Sequence, residues 1–247
     1  MGLFDLFKGG GGGEKKKSTR GDPAAKLAER IERRAQNYDR QEAIQALADM
    51  GTPDAVTGLL KRFTFHMDPS ITDQEEKDSA FRGVLRAGKD AIEPVRAFAA
   101  KAESLAWPMK ILKEIVSDDE YVKELLRWLA RWDTEYSKFV DPKVQLLAAL
   151  EEHKDPDIRS AVEPFLEDVN EPARFHAVGA LLAQEDDGAV GPLAHLLGDE
   201  ESVRVRNRIA EGLAARKWAV PADEREAVSK GLPSAFAMDA NGRITKR

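Results

Sequence analysis

Apolar residues recur along this chain with helical spacing, and almost no stretch alternates with the period of two that a half-buried strand requires. One arrangement returns throughout: two adjacent apolar residues, then two more three to four positions on. Ala43, Ile44, Leu47 and Ala48 form it first, followed by Ala80, Phe81, Val84 and Leu85, then Ile111, Leu112, Ile115 and Val116. Leu146, Leu147 and Leu150 repeat it with a polar Glu151 in the fourth place. Ala177, Val178, Leu181 and Leu182, then Ile209, Ala210, Leu213 and Ala214, complete the series. The steps between first members are 37, 31, 35, 31 and 32 residues. A single quartet is one amphipathic helix. Six at near-constant pitch predict a structural repeat of about that length.

A second signal follows most of these helices. Ala91-Ile92-Glu93-Pro94, Ala161-Val162-Glu163-Pro164 and Ala189-Val190-Gly191-Pro192 share one form, and Ala55-Val56-Thr57-Gly58 is a variant of it. Each is expected to open a second apolar helix, with Asp54, Asp90 or Asp187 upstream as its cap. Proline suits a first helical turn, where the N–H groups have no intrahelical partner. The unit therefore reads helix, turn, helix. Neither helix covers its apolar stripe alone, so stacked neighbours must bury both. On these residues the chain resembles the HEAT-repeat family, in the short-repeat branch named after phycobilisome-lyase HEAT-like repeats. Asp141-Pro142-Lys143-Val144 and Glu201-Ser202-Val203-Arg204 resemble that family's entry to the first helix, and the Ala-Val-Gly-Pro-Leu form at 189–193 its entry to the second. The resemblance covers roughly residues 39–231. It implies an all-α, HEAT-like α-solenoid of about six antiparallel helix pairs. The unit at 106–132 departs furthest, since Tyr121-Val122-Lys123 replaces the proline form.

The ends differ from the middle. Residues 1–22 read as a flexible N-terminal peptide and Gly/Lys linker, 23–232 as the repeat domain, and 233–247 as a C-terminal tail or hairpin. Within the domain, residues 23–37 are expected to form one polar-faced capping helix. Asn241-Gly242, between Ala237/Met238 and Ile244, is a hairpin signal, and the pattern leaves a frayed tail as the alternative. At the other end Leu3, Phe4, Leu6 and Phe7 fall on one face of any helix they form, ahead of five glycines and the cluster Lys15, Lys16, Lys17. That is the layout of an anchor peptide on a tether, suited to an anionic membrane surface or a groove on a protein.

Composition narrows the classes. There are no cysteines, so disulfides, thiolate metal sites and cysteine nucleophiles are excluded, and a reducing compartment is expected. No apolar run approaches the ~18 residues of a membrane span. Net charge is −6, unevenly placed: residues 1–20 carry five cations against two anions, +3, which leaves −9 on the remainder. An acidic body argues against a broad grip on nucleic acid. The expected location is cytoplasmic, with peripheral contact at the inner membrane surface if the anchor peptide binds lipid.

Some enzymes share this architecture. Deoxyhypusine hydroxylase holds two irons with repeated His-Glu pairs. Here the four histidines precede Met67, Lys154, Ala177 and Leu196, so no such pair exists. His176 and His195 are expected to be packed and hydrogen-bonded in apolar helices. HEAT-like alkyl-purine DNA glycosylases need aromatic residues, a basic face and a carboxylate. Trp128 and Trp132 share a helix face, Arg127 and Arg131 flank them, Asp133 follows, and Trp107 opens the preceding helix. The alternative is that the two tryptophans fill the core of the divergent unit. A phycobilin-lyase-like accessory role is a further alternative. The reading that results is a non-catalytic protein-binding scaffold or adaptor, with no catalytic constellation, metal or cofactor. Its expected binding face comprises Lys61, Arg62, Arg96, Lys123, Arg127, Trp128, Arg131 and Trp132, on the second helices of the units. The expected partner is a protein offering an acidic peptide.

Overall fold

The computed structural model describes residues 22–247. The anchor peptide Leu3, Phe4, Leu6, Phe7 and the glycine–lysine run lie outside the described residues. Thirteen α-helices and one two-stranded sheet make up the described part. In chain order they are α1 (Pro23–Glu29), α2 (Asn37–Met50), α3 (Pro53–Leu60), α4 (Ser70–Arg86), α5 (Ile92–Ala99), α6 (Ala106–Ile115), α7 (Asp118–Leu129), α8 (Asp141–Leu150), α9 (Pro156–Val162), α10 (Glu171–Ala183), α11 (Val190–Asp199), α12 (Val203–Arg216), α13 (Arg225–Gly231), β1 (Phe236–Met238) and β2 (Ile244–Lys246). No helix among them is long and apolar enough to cross a membrane.

Local signals place the helix starts. Proline stands in the first turn of α1, α3, α8, α9 and α10. Ser117 and Glu120 form a reciprocal capping box on α7, and Ser202 accepts from the Val205 N–H at the head of α12. The expected aspartate caps are misplaced by a few residues. Thr52, not Asp54, caps α3. Asp186, not Asp187, caps the 3-10 turn before α11. Asp90 makes no cap bond, because a 3-10 turn over Gly88–Ala91 runs straight into α5. The expected single helix over 23–37 is also corrected: α1 stops at Glu29. The chain must reverse there to lay α2 beside α1, and the Arg40 side chain rewards the turn by donating to the Ala35 carbonyl at 2.6 Å.

The six apolar quartets fall on α2, α4, α6, α8, α10 and α12, with Val116 just past the end of α6. Their first members are fully buried. Alternate helices pack on one another. α2 lies on α4 and α4 on α6, while α1 lies on α3 and α3 on α5. Further along, α8 lies on α10 and α10 on α12, with α11 on α13. The two runs join through α7, which packs on α6, α8 and α9. Where alternate helices cross closely, a glycine stands at the crossing. A Cβ on Gly83 of α4 would lie 2.7 Å from the Ala48 Cβ of α2, and one on Gly212 of α12 would collide with Leu182 of α10. Between residues 89 and 178 the chain has no glycine at all. The polar fourth place of the α8 quartet has its own partners: Glu151 lies 2.6 Å from His176 Nδ1 on α10 and accepts from Arg208 on α12.

The C-terminal alternatives resolve as a hairpin, with Met238 opposite Ile244 and Phe236 opposite Lys246. Its five-residue loop is broader than an Asn-Gly two-residue turn. Asp239 accepts from the N–H groups of Asn241 and Arg243, and Gly242 adopts φ +84°. Arg225 of α13 donates to the carbonyls of Val220, Ala240 and Asn241, tying the loop to the last helix.

Candidate binding surfaces

The expected binding face divides on folding. Arg62 is fully buried, so its place on an exposed face is corrected. Its Nε donates to Glu76 at 2.7 Å and its Nη2 to Asp73 at 2.7 Å. Arg40 meets the same Glu76 in a bidentate pair at 2.8 and 2.9 Å, and Lys77 donates to Asp73 at 2.7 Å. Burial alone would raise the Asp73 carboxyl, but the hydrogen bonds from Lys77 and Arg62 outweigh it and hold the group at about 2. The sequence contained a signal for this. The buried stripe of α4 runs Asp73, Glu76, Lys77, Ala80, Gly83, Val84, so the quartet extends upstream through charged residues. Carboxylates on a core-facing stripe call cations inward.

Arg96 and Arg127 are engaged as well. Both donate to the buried Glu124, and Arg96 also to Glu93. The Glu124 hydrogen bond is the largest influence on the Arg96 guanidinium, which it holds above its ordinary value. Lys61 and Lys123 are exposed. Trp107 does not approach Trp128. It stacks on Phe63 at 4.5 Å between ring centroids, with the Lys110 ammonium over the Trp107 ring at 4.7 Å from its centroid.

Trp128, Arg131 and Trp132 do come together. They line a recess of about 410 Å³ between the end of α5, the end of α7 and the segment 133–142, with Lys101, Phe139 and Pro142. α5 packs on α3 and α6, and α7 on α6, α8 and α9, while the Arg96–Glu124 pair bridges α5 to α7, so the recess opens beside that bridge at the C-terminal ends of the two helices. Trp128 is buried and serves as core as well as floor. Trp132 is half-buried, and Phe139 is 45% exposed. Arg131 donates to the Ala100 carbonyl across the mouth at 3.2 Å. The Asp133 carboxylate accepts from the Glu135 N–H, closing a local turn of the same segment.

Segment 133–142 is fastened from beneath. Lys143, fully buried, donates to the carbonyls of Asp133 and Glu135 and lies 2.5 Å from the equally buried Asp168 carboxylate. The Val169 N–H donates to the Thr134 carbonyl. This clamp holds Tyr136, Phe139 and Val169 out in solvent, at 80%, 45% and 57% exposure.

Beyond the segment lies a larger groove, about 1210 Å³, which sequence reasoning missed. It runs between the 3-10 turn at Glu163–Glu167, α11 and the approach to α13, with Thr134 and Val169 on its near edge. Eight acidic side chains line it against two arginines, Arg159 and Arg174. Arg174 is paired with Glu200, and Arg159 with Asp186 and Glu163. Glu167, Glu201 and Asp223 have no ion-pair partner among the described residues. His195, expected to be packed, is exposed in this groove, 3.3 Å from Glu224 and 3.8 Å from Asp199. The signal was the acidic run of turns Glu163–Asp168 and Asp199–Glu201, each just outside a helix and so free to face one side.

No grouping of three potential metal-ligating side chains occurs among the described residues. No family model, curated protein or solved structure matches the chain.

Proposed function

We propose that the chain is a HEAT-like α-solenoid of short repeats that serves as a non-catalytic protein-binding scaffold, and that it takes its partner at the junction between α5 and α9. The observation that carries this reading is the aromatic recess of Trp128, Trp132 and Phe139, held open beside an acid-lined groove by the buried Lys143–Asp168 clamp. An aromatic recess with a buried floor and an exposed rim residue, next to a charged groove, is the anatomy of an interaction site, in which aromatic anchors supply affinity and the charged rim supplies register.

The charge of the partner follows from the ion pairs. Arg62 is buried, while Arg96 and Arg127 share Glu124, so little of the expected cationic face remains for an acidic peptide. The open groove is anionic. The partner is therefore a peptide segment with large apolar side chains and a nearby run of lysine or arginine. An array of short peptides, apolar–basic against apolar–acidic, tests it on the full chain. The apolar–basic members should bind, and Phe139→Ser should weaken them at least tenfold with no change in melting temperature. Preference for acidic peptides, or indifference to Phe139, contradicts the reading.

A further inference from the structure

The proposed site takes an apolar head followed by a basic run, and the chain itself contains one such segment. Leu3, Phe4, Leu6 and Phe7 form the head, Gly9–Gly13 the spacer, and Lys15, Lys16, Lys17 and Arg20 the basic run. Resting on the function proposed above, we propose that the occupant of the recess and groove is the N-terminal segment of a second copy of this chain.

Three observations support this. The first is charge complementarity: residues 1–20 carry +3 and the remainder −9, and of the groove's acidic side chains Asp168, Glu200 and Glu163 are taken by Lys143, Arg174 and Arg159, while Glu167, Glu201 and Asp223 have no ion-pair partner among the described residues and Asp199 and Glu224 flank His195. The second is order. The recess and the groove share the segment 133–142 as a common wall, with Phe139 on one side and Thr134 on the other. The seven residues between Phe7 and Lys15 span at most about 28 Å, counted as eight steps of ~3.5 Å, which is enough to cross one such wall. Asp5, within the head, would meet Lys101 and Arg131 at the recess.

The third is reach, which selects a second copy over the same one. The basic run ends at Arg20, two residues before Asp22 and the start of α1. α1 packs on α3, α3 on α5 and α7 on α9, and the Arg96–Glu124 pair links α5 to α7, so at ~8–10 Å for each of the four steps the groove beside α9 lies roughly 30–40 Å from α1. Lys15–Lys17 lie five to seven residues from Asp22 and extend about 25 Å at most. They fall short of the groove on their own molecule. On another molecule, head and basic run can both engage. Such a contact joins two different surfaces, so copies add head to tail and the assembly grows with concentration.

Sedimentation velocity on the full chain over a wide concentration range provides the test. Three proteins are compared: the unaltered chain, Phe4→Ser/Phe7→Ser in the tail, and Phe139→Ser on the body. The expected result is a weight-average sedimentation coefficient that rises with concentration and falls with added salt, shifted at least tenfold upward in concentration by either variant. Phe4 and Phe7 lie outside the described residues and Phe139 is exposed, and equal melting curves for the three proteins separate either effect from unfolding. A chain that stays monomeric throughout overturns the proposal. So does association that both variants leave intact. If the monomeric chain still selects apolar–basic peptides through Phe139, the binding function stands and only the self-docking falls. Flotation with anionic phosphatidylserine vesicles is the remaining arm. Vesicle binding that needs Phe4 and Phe7, in a chain that does not self-associate, assigns the tail to lipid and also overturns the proposal.

Discussion

α4 and α12 meet their neighbours across a glycine, whereas α7 ends in Trp128 and Trp132. The difference separates two ways of building with the same helices. At Gly83 the backbone of α4 comes so near α2 that even a methyl group would lie 2.7 Å from the Ala48 Cβ. Close approach buries the whole α2 quartet together with Ala80 and Val84 of α4, and what remains between the two helices is a polar groove of about 530 Å³ rimmed by Gln41, Gln45, Glu75 and Arg82. From residue 89 to residue 178 no glycine permits that approach. Large aromatic residues stand at the end of α7 instead, α5 and α7 are bridged by the Arg96–Glu124 pair, and the recess is the space beside that bridge. On the proposed reading, a scaffold of repeats gains a binding site by loosening one junction while its flanks stay tight.

That contrast can be broken in several ways, beginning with the clamp beneath the junction. Lys143→Ala leaves Asp168 charged, buried and unpaired, and should destabilise by about 3–5 kcal/mol in urea titration. Replacing both residues by apolar ones of similar size should recover much of the loss while releasing the segment 133–142 and its peptide binding. If the double variant binds as before, the clamp does not position Phe139. In the tight flank, Leu181→Ala should cost about 2–5 kcal/mol, since Leu181 is fully buried in α10. A smaller effect, roughly 1–3 kcal/mol, is expected for Gly83→Val, which overpacks the α2–α4 crossing. The matching change at the junction, Ala130→Val at the exposed end of α7, should stay within about 0.5 kcal/mol. Equal losses at positions 83 and 130 would erase the distinction.

The smallest effect is one of pH. The Asp73 carboxyl sits near 2 in the folded protein and near 3.9 when unfolded. A depressed folded value means that its stabilising contribution is complete above about pH 4 and is lost as pH falls towards 2. Asp73→Asn should lower stability at neutral pH and flatten the further loss between pH 4 and 2. An unchanged acid limb would show that the Arg62–Asp73–Lys77 cluster does not couple to folding.

Helix spacing carried most of the architecture in readable form, because a buried stripe repeats at 3.6 residues whatever lies opposite it. The hairpin was readable from Asn241-Gly242 for a similarly local reason. The site was legible only in part. Trp128, Arg131 and Trp132 were recognisable as a set, but their partners arrive from residues 99–105 and 139–142 and depend on how α5 and α7 are set against each other. Arg62 illustrates the commonest error. An arginine on a second helix reads as surface until the carboxylates of α4, eleven and fourteen residues later, are seen to face it. The acidic groove was hidden because its residues come from separate turns that only tertiary packing aligns.

Hydrogen exchange, resolved along the full chain under native conditions, tests the central contrast most directly. Helix ends that pack on both sides open only with the whole molecule, whereas an under-packed junction opens at lower free energy. Amides at Val178–Leu182 of α10 should therefore exchange at the rate of global unfolding. Those at Trp128–Leu129, although equally buried, should exchange at least tenfold faster and share that opening with residues 99–105. Protection of Trp128–Leu129 equal to that of α10 would contradict the account, since the junction would then be as tightly built as its flanks.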